Sequence, residues 1–199
     1  FRILLSKVGE NAQKAFDQDC SFEAVAEAAL KDWSLGSKTD LTADQSKAAL
    51  RVLTEPVSLL TGLPGTGKTT TLRAAVSVLK DAGINFLLIA PTGIAAKRLS
   101  SVVNAPASTI HRAFGAKGWS KEDGREATYE GITGESDKKI SASSGAAWGF
   151  GPGNPHPAEV VVVDETSMVD LNLLNRILSG TRADCRLAFV GDPFQLPSV

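Results

Sequence analysis

The 199 residues carry a formal net charge of −1, with 43% hydrophobic and 22% charged side chains. This is ordinary globular composition without a basic footprint, so charge alone gives no support for nucleic-acid binding, and no apolar run approaches the roughly 18 residues that a membrane span needs. Two distant cysteines, Cys20 and Cys185, and two histidines leave no zinc-ligand spacing and imply reduced thiols in a reducing, cytoplasmic compartment.

In chain order, residues 1–40 read as a helical N-terminal segment. Within it, Ser21 is a cap for "SFEAVAEAALKDW", where Phe22, Val25, Ala29 and Trp33 recur at helical spacing. A second helix is expected over "LTADQSKAALRVL", closed by Pro56. Short apolar runs at 57–61, 85–90, 159–165 and 186–192 predict buried strands. Helices are expected between them over 68–83, 93–103 and 170–180. Strands that are apolar throughout and alternate with helices imply an α/β fold with a mainly parallel sheet covered on both faces. Functional loops should then leave the carboxyl ends of the strands, beginning at Gly62, Pro91, Asp164 and Gly191. Between about 117 and 147 the apolar rhythm fails, and a flexible or disordered insertion is expected there.

"GLPGTGKT" (62–69) fits G-x-x-x-x-G-K-[ST] between a strand and a helix. Gly62, Gly65 and Gly67 let backbone N–H groups turn toward an anion, and the helix start favours negative charge. Lys68 brings a positive charge to the β and γ phosphates, and the Thr69 hydroxyl is a magnesium ligand. Pro64, Thr66 and Thr70 complete the expected nucleotide cradle. In "VVVVDET", Asp164 can hold a magnesium shell and Glu165 can act as general base on water. Gln195, in "GDPFQ", has an amide that can contact a γ-phosphate and water together, or else satisfy a buried loop. Gln45 fits a capping box with Thr42, and its amide could instead read an adenine edge. No N-K-x-D guanine reader is present.

Together "LTADQ", "LTGLPGTGKTTTLRA", "APTGIAAKRLS", "ASTIHRAFG", "VVVVDETSMVDLNLL" and "RLAFVGDPFQLPSV" resemble the RecD-like DNA helicases of superfamily 1B. The resemblance covers about 25–115 and 148–199. It implies that 41–199 is the first RecA-like motor domain of a P-loop NTPase fold, a 5′→3′ translocase on single-stranded DNA powered by ATP and Mg²⁺. It implies roles for Lys68 and Thr69 on phosphate and metal, Asp164 on metal, Glu165 as base, Gln195 as γ-phosphate sensor and Gln45 on adenine. Pro91, Thr92 and His111 match family positions that touch DNA, although His111 by itself reads as an ordinary structural histidine. A second RecA-like domain would complete the ATP site. The chain is read as a segment of something longer. By itself it is expected to hydrolyse ATP slowly and not to unwind DNA. A degenerate P-loop module that binds DNA or a partner without turnover is the alternative, which the intact Lys68, Asp164, Glu165 and Gln195 oppose.

Overall fold

A computed structural model describes residues 21–116, 148–192, 194 and 195. The expectations for 1–20, for Cys20 and for the 117–147 segment lie outside these residues. Helix α1 (Phe22–Ser37) starts where Ser21 accepts a hydrogen bond from the Ala24 N–H. It outruns the predicted end at Trp33 and runs through Gly36 to Ser37. The chain leaves through Lys38 in the left-handed region. Helix α2 (Ala43–Thr54) opens with the full Thr42–Gln45 capping box and ends just before Pro56. Strand β1 (Val57–Thr61) and helix α3 (Lys68–Asp81) follow, and α3 stops at Gly83, whose φ is +65°. Then come β2 (Phe86–Ala90), α4 (Gly93–Val103), β3 (Ala107–Thr109), α5 (Ile110–Ala113), β4 (Val160–Val163), α6 (Leu171–Gly180) and β5 (Arg186–Gly191).

The five strands are all parallel, in the order β1-β5-β4-β2-β3. Alternation along each strand divides the core. Val160 and Val162 point to the face covered by α1 to α4, with Leu88, Ala188 and Val190. Val161 and Val163 point to the other face, with Ile89, Leu187, Ile110, Phe114 and Ile177. Coverage on both faces holds for the inner strands. Edge strand β1 departs from it, because Val57 and Leu59 are exposed on one side. Helix α1 contributes Val25, Ala26, Ala29 and Leu30 to the same core as α2 and α3.

Two elements escape sequence reading. Strand β3 has three residues and α5 four, too few for either periodicity to register. Strand β4 is shorter than predicted: it ends at Val163, and Glu165, with φ +52° and ψ +47°, cannot continue a strand. Cys185 is a free, buried thiol whose pKa burial pushes up to about 11, so it stays protonated. None of the described helices is long and apolar enough to cross a membrane.

The second core holds two tests of packing. An added Cβ on Gly180 would meet the Phe114 ring at 2.6 and 2.8 Å, and that ring is fully buried. Gly180→Ala should therefore cost about 1–3 kcal/mol as overpacking, read as a lower melting temperature in thermal unfolding. His156 Nδ1 accepts from the Ala158 N–H, and its ring lies edge-on to Phe150 at 4.8 Å and to Phe114. Burial lowers its pKa from the ordinary 6.5. The unfolded chain then binds the proton more tightly than the fold does. Stability from neutral His156 is complete above about pH 6.5 and is lost as pH falls toward the folded value. A melting-temperature profile should decline over that window, and less so in His156→Asn.

Candidate functional site

Every predicted site residue leaves the carboxyl edge of the sheet except Gln45, which reaches it from α2. The loop from β1 to α3 bends through Gly65 and Gly67, at φ +82° and +85°. Only glycine takes that conformation cheaply, and it turns the amides of the loop and the helix start inward. No side chain caps α3, so its first N–H groups form an anion-binding end. Thr66 fastens the loop by donating its N–H and its hydroxyl to the Leu63 carbonyl. Lys68 lies back along the loop, donating its ammonium to the carbonyls of Gly62 and Leu63. Pro64 and Thr69 are exposed and Thr70 is half-buried.

Gln45 does more than cap. Its Oε1 accepts from the Thr42 N–H at 3.1 Å, while its Nε2 donates to the Thr66 carbonyl at 3.2 Å. The same amide thus ties α2 to the phosphate loop, a link that local spacing could not reveal.

Asp164 directly follows β4, its N–H donating to Ile89 O at 2.9 Å. Desolvation raises its carboxyl pKa; a backbone hydrogen bond from Glu165 opposes the rise, the Glu165 charge adds to it, and the Arg98 and Lys68 charges oppose it. Glu165 sits in the left-handed region, a cost of roughly 1–2 kcal/mol for a residue with a Cβ. Such strain is typical of positions where a side chain must be aimed. Its carboxylate lies 3.8 Å from the Arg98 guanidinium.

Two hydroxyls that sequence reading passed over bind the neighbouring loops together. Thr166 donates its hydroxyl to Val190 O at 2.9 Å, joining the end of β4 to the end of β5. Ser167 donates its hydroxyl to Gln195 Oε1 at 2.9 Å. Gln195 is thereby held against the turn that carries the acid pair. Buried Asp192 shapes that loop by accepting from the Phe194 N–H. The only available signal for Thr166 and Ser167 was their place just after the acids in "DETS".

The structure sets the predicted DNA residues apart from this group. Thr92 caps α4, accepting from the Ala95 N–H at 3.2 Å, and Pro91 is half-buried beside it. His111 is exposed on α5, at the far edge strand from β1, and stacks on Trp148 at 5.5 Å. Arg176 covers Trp148 at 4.5 Å. Strand order therefore arranges two halves. β1, β5 and β4 carry the phosphate loop, Gln195 and the acid pair, whereas β2 and β3 carry Pro91, Thr92 and His111.

Residues 40–199 match the family model of an AAA domain. The chain belongs to the AAA domain family. As a member, it is a P-loop nucleotide-binding domain. It is also 31% identical over 170 residues to the ATP-dependent RecD2 DNA helicase of Deinococcus radiodurans, covering 84% of this chain and 20% of that protein. To the RecBCD enzyme subunit RecD of Mycobacterium tuberculosis it is 37% identical over 163 residues, covering 78% and 27%. The Haemophilus influenzae RecD subunit is 33% identical over 172 residues, covering 81% and 25%. A solved structure of Pif1 helicases unwinding forked double-stranded DNA superposes with TM-score 0.50 and 26% identity, over 80% of this chain and 35% of that one. The RecD-like resemblance and the parallel α/β fold are borne out. This AAA domain spans only about a fifth to a quarter of the length of its RecD relatives.

Proposed function

We propose that residues 41–199 form the first RecA-like motor domain of an ATP-dependent 5′→3′ DNA helicase, with 1–40 as a helical segment ahead of it. The observation that carries this reading is the sheet order. It gathers phosphate loop, acid pair and Gln195 on three adjacent strands, with Pro91, Thr92 and His111 after the two strands beside them. The RecD2 relative is by name an ATP-dependent DNA helicase.

In this reading Gly62, Pro64, Gly65, Thr66, Gly67 and Thr70 cradle the triphosphate through loop amides and the α3 start. Lys68 moves from its own loop carbonyls onto the β and γ phosphates, and Gln45 reads adenine beside the loop. Among the described residues no group of three or more acidic, His or Cys side chains could hold a metal alone. A magnesium ion that binds together with nucleotide fits this chemistry, since it keeps several waters and needs only one or two protein ligands, here Thr69 and Asp164. Bound there, it would neutralise charge developing on the phosphates. Glu165 takes the proton of the attacking water. Gln195 senses the γ-phosphate and passes its loss to the Ser167 turn. Pro91, Thr92 and His111 meet the DNA strand. A second RecA-like domain supplies the arginine that phosphoryl transfer of this type uses. The setting is cytoplasmic.

The test uses the whole protein, with ATP hydrolysis measured with and without oligo(dT), and unwinding measured on duplexes carrying a 5′ or a 3′ single-stranded tail. Hydrolysis stimulated by oligo(dT), with unwinding of the 5′-tailed substrate alone, is expected. Hydrolysis indifferent to DNA, or preference for the 3′ tail, would refute the proposal.

A further inference from the structure

Four ion pairs occur among the described residues. Three join neighbours within four positions: Lys31 with Glu27, Arg51 with Glu55, and Arg182 with Asp184. The fourth, Arg98 with Glu165, joins two loop-to-helix segments. Arg98 lies on α4, the helix that Thr92 caps, directly after β2. Glu165 is the second residue after β4, and β2 and β4 are adjacent in the sheet. The pair therefore straddles the boundary between the strands assigned to nucleotide and those assigned to DNA.

Its two ends differ in access. The Arg98 side chain is 74% exposed, whereas that of Glu165 is 24% exposed. A phosphate backbone lying across α4 can reach the guanidinium without reaching the carboxylate. Guanidinium binds phosphate through paired, charge-assisted hydrogen bonds. At 3.8 Å its contact with Glu165 is a looser one. A weak pair of this sort is easily exchanged for a better anion, as a switch requires.

The geometry points to Arg98 as a positioning residue that couples DNA to hydrolysis. Without DNA it draws the Glu165 carboxylate toward α4; with DNA it transfers to a backbone phosphate and releases Glu165 toward the water. This inference rests on the reading of Glu165 as the base. Lys97, the preceding residue on α4, has no ion-pair partner among the described residues and serves as a control.

The test is steady-state ATP hydrolysis by the whole protein, as wild type, Arg98→Ala, Arg98→Lys, Lys97→Ala and Glu165→Gln, with and without saturating oligo(dT). An exposed ion pair shifts an equilibrium by only a few-fold, so Arg98→Ala should raise the DNA-free kcat about two- to fivefold. KM for ATP should stay unchanged, and the stimulation ratio should shrink by the same factor. Arg98→Lys keeps a cation and should restore the low basal rate, while Lys97→Ala should leave it alone. Rising monovalent salt, which screens the pair, should lift the DNA-free rate of wild type and not of Arg98→Ala. An unchanged or lowered basal rate in Arg98→Ala overturns the coupling, including the case where only DNA affinity suffers. If instead Glu165→Gln hydrolyses ATP as wild type does, the assignment of the base itself has failed, and the coupling falls with it.

Discussion

Asp164→Asn is expected to make the protein more stable and nearly inactive in the same stroke. Desolvation at the end of β4 raises this carboxyl above its ordinary 3.8, outweighing the backbone hydrogen bond it accepts from Glu165, and the Glu165 charge adds to the rise. The folded chain therefore binds a proton there more tightly than the unfolded chain does. The contribution of this group to stability is complete below pH 3.8 and is lost as pH rises through the folded value, so at neutral pH its ionised form is a net cost. An amide of nearly the same shape removes that cost. In chelator, where no divalent ion can favour the carboxylate, the melting temperature of Asp164→Asn should exceed that of wild type, with the gap closing toward acid pH. Hydrolysis should meanwhile drop roughly a thousandfold, because charge stabilisation by a well-placed metal ion is worth several kcal/mol. A variant that loses activity without gaining stability would mean that the acid is satisfied in the apo fold, contrary to its burial.

That opposition between stability and function marks what a sequence can reveal. Four consecutive valines before two acids announce a buried strand delivering charge to its end. A glycine loop between a strand and a helix announces an anion cradle. Both signals are local and rest on residue types that few other structures demand. The sheet order is not local, since nothing in the periodicity of β5 says that it inserts between β1 and β4. Ser167 with Gln195, Gln45 with Thr66 and Arg98 with Glu165 are likewise long-range pairs. Each depends on which loops the topology places side by side. The left-handed backbone at Glu165 was also hidden, because glutamate is not a residue whose presence suggests positive φ. Strand β3 and helix α5 escaped because an element of three or four residues has no period to detect.

The Gln45 amide turns one of these hidden pairs into a measurable one. Gly67 has φ +85°, and an added Cβ would overlap Gln45 Nε2 and lie 3.3 Å from its Cδ. Gly67→Ala therefore meets two separate penalties. Alanine in the left-handed region costs about 1–2 kcal/mol. The methyl also expels the Gln45 side chain from the Thr66 carbonyl, a hydrogen bond worth about 0.5–1.5 kcal/mol, and unlocks the capping box that shares the same amide. Since each 1.4 kcal/mol is tenfold, nucleotide affinity should fall about 10- to 300-fold, read by titration of a fluorescent ADP analogue. The two penalties separate in a double-mutant cycle. With Gln45→Ala already in place, the clash is gone and only the backbone cost remains, so Gly67→Ala should weaken binding distinctly less than it does in wild type. Additive effects would show that Gln45 yields freely and does not brace the loop. A coupling of the expected sign would show that the phosphate cradle depends on a helix cap twenty residues upstream as well as on its own glycines.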